Sequence, residues 1–255
     1  MTIAGSLAKL KGALGPSSER DLICASVAAA LPPGFYSWLD VGVGDGNSLS
    51  RILEELASLG YAFDAHGIDP EAPEGLTCDA AITFETRKAP IEDCDFALPF
   101  DVINVRQSAY YFSDLAGVFR KLTQALSPRG VLMVTHWAEG CFLFQLHDQI
   151  ARELGQPTEQ LGVTDLARHI ADGGVLTSRV SIVTDTIDLN AVLGDPTLLD
   201  ATLRIAARKL PISELSEIGK ARLVKAINEE WPKQAARVNG VITLTPPPIL
   251  PRISP

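Results

Sequence analysis

Basic residues are in short supply. Lys and Arg number 22 against 31 Asp and Glu in 255 residues, a net charge of −9. Nucleic-acid binding draws its affinity from Lys and Arg that displace counterions, so no such partner is expected. An acidic balance is compatible with a small cationic substrate, although acidic surface more often serves solubility. Cysteine is scarce too. Cys24, Cys78, Cys94 and Cys141 form no C-x-x-C pair and no metal-like spacing with a histidine. Disulfides are therefore not expected, and a reducing compartment is the default. His66, His136, His147 and His169 are too scattered for an H-E-x-x-H type of zinc signature. No apolar run approaches the roughly 18 residues that span a bilayer. No basic stretch followed by an apolar one marks a signal peptide. The expectation is a cytoplasmic protein, monomer or homodimer, of ordinary globular composition.

What the chain does contain is Trp38 to Gly46, W-L-D-V-G-V-G-D-G. An apolar, strand-like segment carries Asp40. Gly42, Gly44 and Gly46 follow at alternate positions, and a helix-like stretch covers residues 48–59. Glycines in a strand-to-helix turn let the backbone come close to a ligand. The helix start behind them presents N–H groups to anything polar or negative. This reads as a nucleoside-cofactor turn, and two cofactors compete for it. A dinucleotide fingerprint is spaced G-x-G-x-x-G, with the pyrophosphate on the helix N-terminus. Here the spacing is G-x-G-x-G, and Asn47 stands where the third glycine would be. Asp40 suits an ammonium and a sulfonium better than a pyrophosphate. The D-x-G-x-G-x-G form resembles motif I of the class I S-adenosylmethionine (SAM) dependent methyltransferases. A second apolar segment, residues 62–68, ends in Asp69-Pro70. A carboxylate there is placed to accept hydrogen bonds from both ribose hydroxyls. Alone it would read as a turn-starting Asp before Pro.

Strands and helices alternate from Trp38 on, as in a parallel α/β sheet. Strand candidates are residues 37–41, 62–68, 81–85, 101–105 and 130–136. Helix candidates are 19–31, capped by Ser17 or Ser18, then 48–59, 113–126 and 141–154. Beyond Gly155 the pattern changes. A short helix is expected at 164–172, an alternating strand at 179–189, helices at 196–209 and 212–231, and a last strand at 240–245. The proline-rich end, 246–255, reads as extended.

A third cluster follows the fourth strand: Arg106, Gln107, Tyr110 and Tyr111 in V-R-Q-S-A-Y-Y. Ligands of open α/β sheets bind outside the carboxyl ends of the strands. Tyrosine faces attract a sulfonium or ammonium, but one of the pair reads equally well as the start of the next helix, where neighbours point apart.

With S-S-E-R before the first helix, D-V-G-V-G-D-G, I-D-P and R-Q-S-A-Y-Y, the chain resembles the histamine N-methyltransferase-like branch of class I methyltransferases from about Ser17 to Thr245. The resemblance implies a Rossmann-like α/β fold, its sheet mostly parallel with an antiparallel last strand. Residues 1–155 would form the SAM-binding core with its N-terminal helix. Residues 156–255 would complete the sheet, with added helices as a small lid over the substrate. It also implies that Asp40, Gly42, Gly44, Gly46, Asp69, Pro70, Ile91, Glu92 and Arg106 hold SAM. Glu19 would face a bound amine, with Gln107, Tyr110, Tyr111, His136, Trp137 and Cys141 lining the substrate pocket. Cys141 falls on the family's tryptophan, and Thr245 replaces its asparagine near the final strand.

Glu19, His136 and Tyr111 are the candidate catalytic residues. Glu19 reads otherwise as a first-turn helix acid, and His136 either as a packed strand-end residue or as a proton acceptor. No metal is implied. Three activities stay open: N-methylation of a small amine or imidazole, O- or C-methylation of a natural-product intermediate, and SAM binding without methyl transfer, as in a cyclase or regulator.

Overall fold

Pro32, Pro33 and Gly34 separate the first helix, α1 (Ser18–Ala30), from the first strand, β1 (Phe35–Val41), because proline lacks the N–H a helix interior needs. Then follow α2 (Asn47–Ser58), β2 (Ala62–Ile68), β3 (Thr83–Arg87), β4 (Phe100–Arg106), α3 (Leu115–Gln124) and β5 (Leu126–Trp137). The rest is α4 (Phe142–Glu153), α5 (Val163–Asp172), β6 (Thr177–Asp188), α6 (Leu189–Gly194), α7 (Pro196–Ala207), α8 (Glu217–Glu229) and β7 (Gln234–Thr245). The structure is a computed structural model and describes residues 18–97, 99–158, 161–172, 177–232 and 234–245. The candidate cap Ser17 and the proline-rich end lie outside the described residues.

The seven strands form one sheet in the order β3-β2-β1-β4-β5-β7-β6, mostly parallel with one antiparallel strand, the Rossmann-like class I methyltransferase arrangement. β1 pairs in parallel with β2 and with β4, β2 with β3, and β4 with β5. The reversal of strand order beside β1 puts the β1 and β4 turns at the switch point of the sheet, where open α/β folds bind ligands.

Several element ends differ from the sequence expectations, each for a local reason. β5 starts at Leu126 and not near residue 130, because Ser127 Oγ donates to Asp101 Oδ1 (2.8 Å) and ties the strand start to β4. The pairing shifts register between Phe100 and Val102, and a Cβ on Gly130 would lie 2.9 Å from the Asp101 carbonyl oxygen. The stretch 212–231 is not one helix. Ile212–Glu214 forms a 3-10 turn, and Ser216 then caps α8 by accepting the Gly219 N–H (3.0 Å). β7 begins six residues before the expected Gly240.

Contacts gather the described residues into two compact units. The larger draws on 22–135, 164–181 and 241–245, and the smaller on 18–21, 136–163, 182–232 and 234–240. In the larger, Leu49, Ile52, Leu53 and Leu56 recur at helical spacing on α2 and are buried in one core with Trp38, Phe63, Val102 and Met133. Full burial of each such side chain contributes roughly 1.5–3 kcal/mol. In the smaller, Phe142, Leu143, Leu146 and Ile150 of α4 share a core with Leu189, Leu198, Leu203, Leu223 and Ile227 from α6, α7 and α8. Among the described residues no helix is long and apolar enough to cross a membrane.

Candidate functional site

The turn after β1 is built by three glycines with positive φ: +84° at Gly42, +58° at Gly44 and +75° at Gly46. Each does a different job. Gly42 N–H donates to Ile68 O (2.7 Å), stitching the turn to the end of β2. A Cβ there would sit 2.5 Å from Ser108 Cβ, and Ser108 Oγ donates to Val41 O (2.8 Å). Gly42 therefore makes room for protein, not ligand. Gly46 starts α2, and its missing Cβ leaves space for Leu76 (3.0 Å). Gly44 is the exception, since a Cβ on it would meet nothing within 4 Å. Its open face is a cradle that a side chain would fill.

The Asp69 carboxylate borders that turn. Gly44 N–H donates to Asp69 Oδ2 (3.0 Å), and Glu71 N–H donates to Asp69 Oδ1 (2.7 Å). Each carboxylate oxygen keeps a second lone pair, enough for two ribose hydroxyls. Pro70 beside it is exposed. Asp40 is buried at 4% exposure and accepts a hydrogen bond from Asn104 Nδ2 (3.1 Å), its register partner on β4. Asn104 Oδ1 is itself buried and has no hydrogen-bond partner among the described residues. The start of α2 is less open than the sequence implies, because Asp45 Oδ1 accepts the Asn47 N–H (3.2 Å). An acid at that helix start repels a pyrophosphate and tolerates a cation. The residues present fit SAM and fit a dinucleotide poorly.

Ile91 and Glu92 lie in a 3-10 turn after β3. Ile91 is buried, and Lys121 Nζ of α3 holds the turn by donating to the Glu92 (2.6 Å) and Cys94 (2.8 Å) carbonyls. Burial pushes the Glu92 carboxyl up, but hydrogen bonds from Ser113 N–H (2.7 Å) and Oγ (3.0 Å) outweigh it and hold the group below its ordinary value. At the end of β4, Arg106 is half-buried, and Gln107 adopts φ +50° while its N–H donates to Thr135 O (2.9 Å). A non-glycine residue held there stores strain of order 1 kcal/mol, a common mark of functional positions. Tyr110 and Tyr111 do not begin α3. They form a separate 3-10 turn with ring centroids 4.6 Å apart, so the expectation that neighbours point apart fails here.

The smaller unit holds the remaining candidates. Glu19 is only 3% exposed, which no solvated helix-start acid would be. The turn carrying it is fixed by Asp185 of β6, whose Oδ1 accepts the Ser18 Oγ (2.5 Å) and backbone N–H (3.4 Å). Asp185 Oδ2 meets Arg237 Nη2 of β7 at 2.7 Å, both side chains 11% exposed. Burial raises the Asp185 carboxyl, and the Ser18 and Arg237 hydrogen bonds more than reverse that. The acid that starts α1 is thus supplied by a distant strand. Trp137 and Cys141 are buried, Cys141 as the residue before α4. Thr245 lies at the end of β7, whereas Asn239 of the same strand is 1% exposed and went unnoticed in the sequence.

His136 is buried, and its Nε2 donates to Leu161 O (2.8 Å). Burial first, and the Arg208 charge second, push its pKa down to about 3, against a smaller upward pull from Leu161. The imidazole is neutral at physiological pH and a weak base. The consequence for stability has a definite sign. Below the unfolded value near 6.5 the unfolded chain takes up a proton that the folded chain refuses, so stability falls with acid until about pH 3. Lowering the pH from 7 to 4.5 should cost roughly 2–3 kcal/mol through this group. Denaturant titrations at the two pH values check it. His136→Gln should flatten most of the slope, leaving the smaller contribution of His147, also shifted down mainly by burial. A variant with the full wild-type slope would contradict the assignment.

The chain matches the model of the methyltransferase-domain family over residues 16–181, more than half its length. It belongs to that family. Against individually curated proteins, this methyltransferase-family chain has no significant match. Among solved structures it is similar to a SAM-dependent methyltransferase from Geobacter sulfurreducens in complex with S-adenosyl-L-homocysteine, at 17% identity and TM-score 0.53, covering 91% of this chain and 92% of that one. It is also similar to YjhP from E. coli, at 18% identity and TM-score 0.56, with 96% and 98% covered. A third is the [4+2]-cyclase SpnF, at 16% identity and TM-score 0.50, with 89% and 81% covered. At these identities the likeness is one of fold, and one fold carries more than one chemistry.

Proposed function

We propose that the protein transfers the methyl group of SAM to a small-molecule nucleophile, an amine or imidazole nitrogen. The observation that carries this reading is the open face of Gly44, whose N–H is held by the Asp69 carboxylate. SAM, when bound, supplies an electrophilic methyl group on a sulfonium. Asp69 accepts the ribose hydroxyls, with Pro70 shaping the turn. The Asp40–Asn104 pair offers a carboxylate and an amide oxygen to the cationic end. Ile91 and Glu92 flank the nucleoside, and Arg106 closes the strand end.

On the substrate side, Glu19 takes the cationic nitrogen and relays its proton. A protonated amine has no lone pair to attack with, so such a relay is needed. Gln107 hydrogen-bonds a polar group, and Tyr110 and Tyr111 give aromatic faces to the cation. His136, Trp137 and Cys141 line the remainder. We assign to α7 and α8 the exclusion of water from the bound substrate. Most of the rate gain then comes from holding the nucleophile in line with the S–CH₃ bond. The likeness to the histamine N-methyltransferase branch rests on the four quoted sequence matches and supports nitrogen as the acceptor. O-methylation of a phenol would need a base, and His136 with a pKa of about 3 is a poor one.

Incubation with methyl-labelled SAM and a panel of amines, phenols and carboxylic acids tests the proposal. Label is expected on nitrogen acceptors. Label on phenols alone would shift the reading to oxygen, and SAM binding without any transfer would favour a cyclase or regulator.

A further inference from the structure

Every carbonyl of residues 90–94, around the 3-10 turn Ile91–Asp93, accepts a hydrogen bond. Pro90 O takes the Asp93 N–H (3.1 Å), Ile91 O the Cys94 N–H (3.2 Å), and Asp93 O the Nη2 of Arg87 on β3 (3.3 Å). Lys121 on α3 supplies the rest. Its Nζ donates to Ile91 O (3.4 Å), Glu92 O (2.6 Å) and Cys94 O (2.8 Å). An ammonium has three donors and no acceptor, so this one turn takes them all. A helix lysine ordinarily keeps its charge in water. Here the charge is spent on backbone, in bonds about twice as strong as neutral ones.

The tie also runs the other way. Glu92 Oε1 accepts the Ser113 N–H (2.7 Å) and Oγ (3.0 Å) just before α3. The helix does not need Glu92 as a cap, because Asp114 already accepts the Gly117 N–H. Ser113 follows closely on the Tyr110–Tyr111 turn, which is closed by Tyr111 N–H to Ser108 O (2.9 Å) and Phe112 N–H to Ala109 O (3.2 Å). The Phe112 ring packs edge-on against Phe119 of α3, with centroids 6.2 Å apart. A closed circuit results, from the Ile91–Asp93 turn through Glu92 to Ser113, along α3 to Lys121, and back. It lies wholly within the larger unit.

We propose that Lys121 is a positioning residue that couples the cofactor side of the site to the acceptor side, so that SAM binds first and its binding firms the tyrosine turn for the acceptor. A nucleoside lying on Ile91 and Glu92 restrains the turn whose carbonyls Lys121 holds. Glu92 passes that restraint to Ser113 and so to the tyrosines. Linkage makes the effect reciprocal, because an acceptor seated on the tyrosines tightens the cofactor by the same factor. This deepens the methyl-transfer reading and rests on its placement of the nucleoside.

The test is amide hydrogen exchange of the full chain, read by mass spectrometry with and without saturating S-adenosylhomocysteine, beside calorimetric affinity. In the wild type the ligand should slow exchange at residues 89–95 and also at 109–115. Lys121→Met keeps an unbranched side chain and removes the ammonium. It should bind S-adenosylhomocysteine roughly tenfold more weakly. Once saturated, it should still show slowing at residues 42–47 but none at 109–115. Lys121→Arg should recover part of both effects, and Arg120→Met, exposed on the same helix, should behave as the wild type. Ser113→Ala, at an exposed position, weakens the circuit at its other end and covers the case in which Lys121→Met does not fold. It should shrink the slowing at 109–115 while affinity stays within about twofold. Full slowing at 109–115 in both Lys121→Met and Ser113→Ala, or none there in the saturated wild type, overturns the coupling. Failure of the wild-type chain to take up S-adenosylhomocysteine overturns the methyl-transfer reading instead.

Discussion

Gly44→Val is expected to abolish S-adenosylhomocysteine binding, weakening it by about a hundredfold or more, which is about 3 kcal/mol. The space a side chain would enter is empty of protein and therefore open to a ligand. Valine also resists the +58° φ, because a β-branched residue is a genuine outlier there. Some loss of stability, about 1–2 kcal/mol, should therefore accompany the loss of binding. Gly44→Ala shares most of the backbone penalty but adds only a methyl group. It should bind more weakly than the wild type and more tightly than the valine variant. Calorimetry with matched denaturation curves separates the two effects. Near-wild-type affinity in Gly44→Val would mean that the cofactor does not lie against this turn.

Glu19→Gln should lower turnover by roughly tenfold to ten-thousandfold if the carboxylate carries the proton of the acceptor amine. Affinity for S-adenosylhomocysteine should stay within about twofold, the size of an indirect effect well below one tenfold step. The substitution keeps the shape of a side chain that is almost fully buried and removes its charge. Steady-state kinetics on an identified acceptor, beside calorimetry on the cofactor product, reads both quantities. Unchanged turnover would return Glu19 to a packing role at the start of α1.

The glycine turn was legible because its constraints are local. Alternate glycines after an apolar strand require the positive φ values found at 42, 44 and 46, and Asp69 falls at the end of the neighbouring strand. What the sequence did not disclose depends on distant partners. Asp185 acts on Ser18 across 167 positions and pairs with Arg237 across 52, separations that no spacing rule covers. Asn104 left a faint signal, a lone amide in the apolar run V-I-N-V, whose meaning appears only when the register sets it beside Asp40. Asn239 gave the same kind of signal in V-N-G-V-I. Arg208 gave none, because a helix-terminal arginine is ordinary and only its backbone angles and its stack on Trp137 single it out. His136 was noticed for its strand-end position, yet its proton chemistry is set by burial and by Arg208, which lies 72 positions on. For the tyrosine pair, the alternative reading of one ring as a helix start fails, because the two form a 3-10 turn of their own. In fact Asp114 caps the helix that follows by accepting the Gly117 N–H (2.8 Å).

The most direct measurement is a calorimetric titration of the wild-type chain with S-adenosylhomocysteine and, separately, with NAD. Saturable binding of S-adenosylhomocysteine with no heat from NAD is the predicted result. Binding of NAD with no response to S-adenosylhomocysteine would contradict the account at its centre.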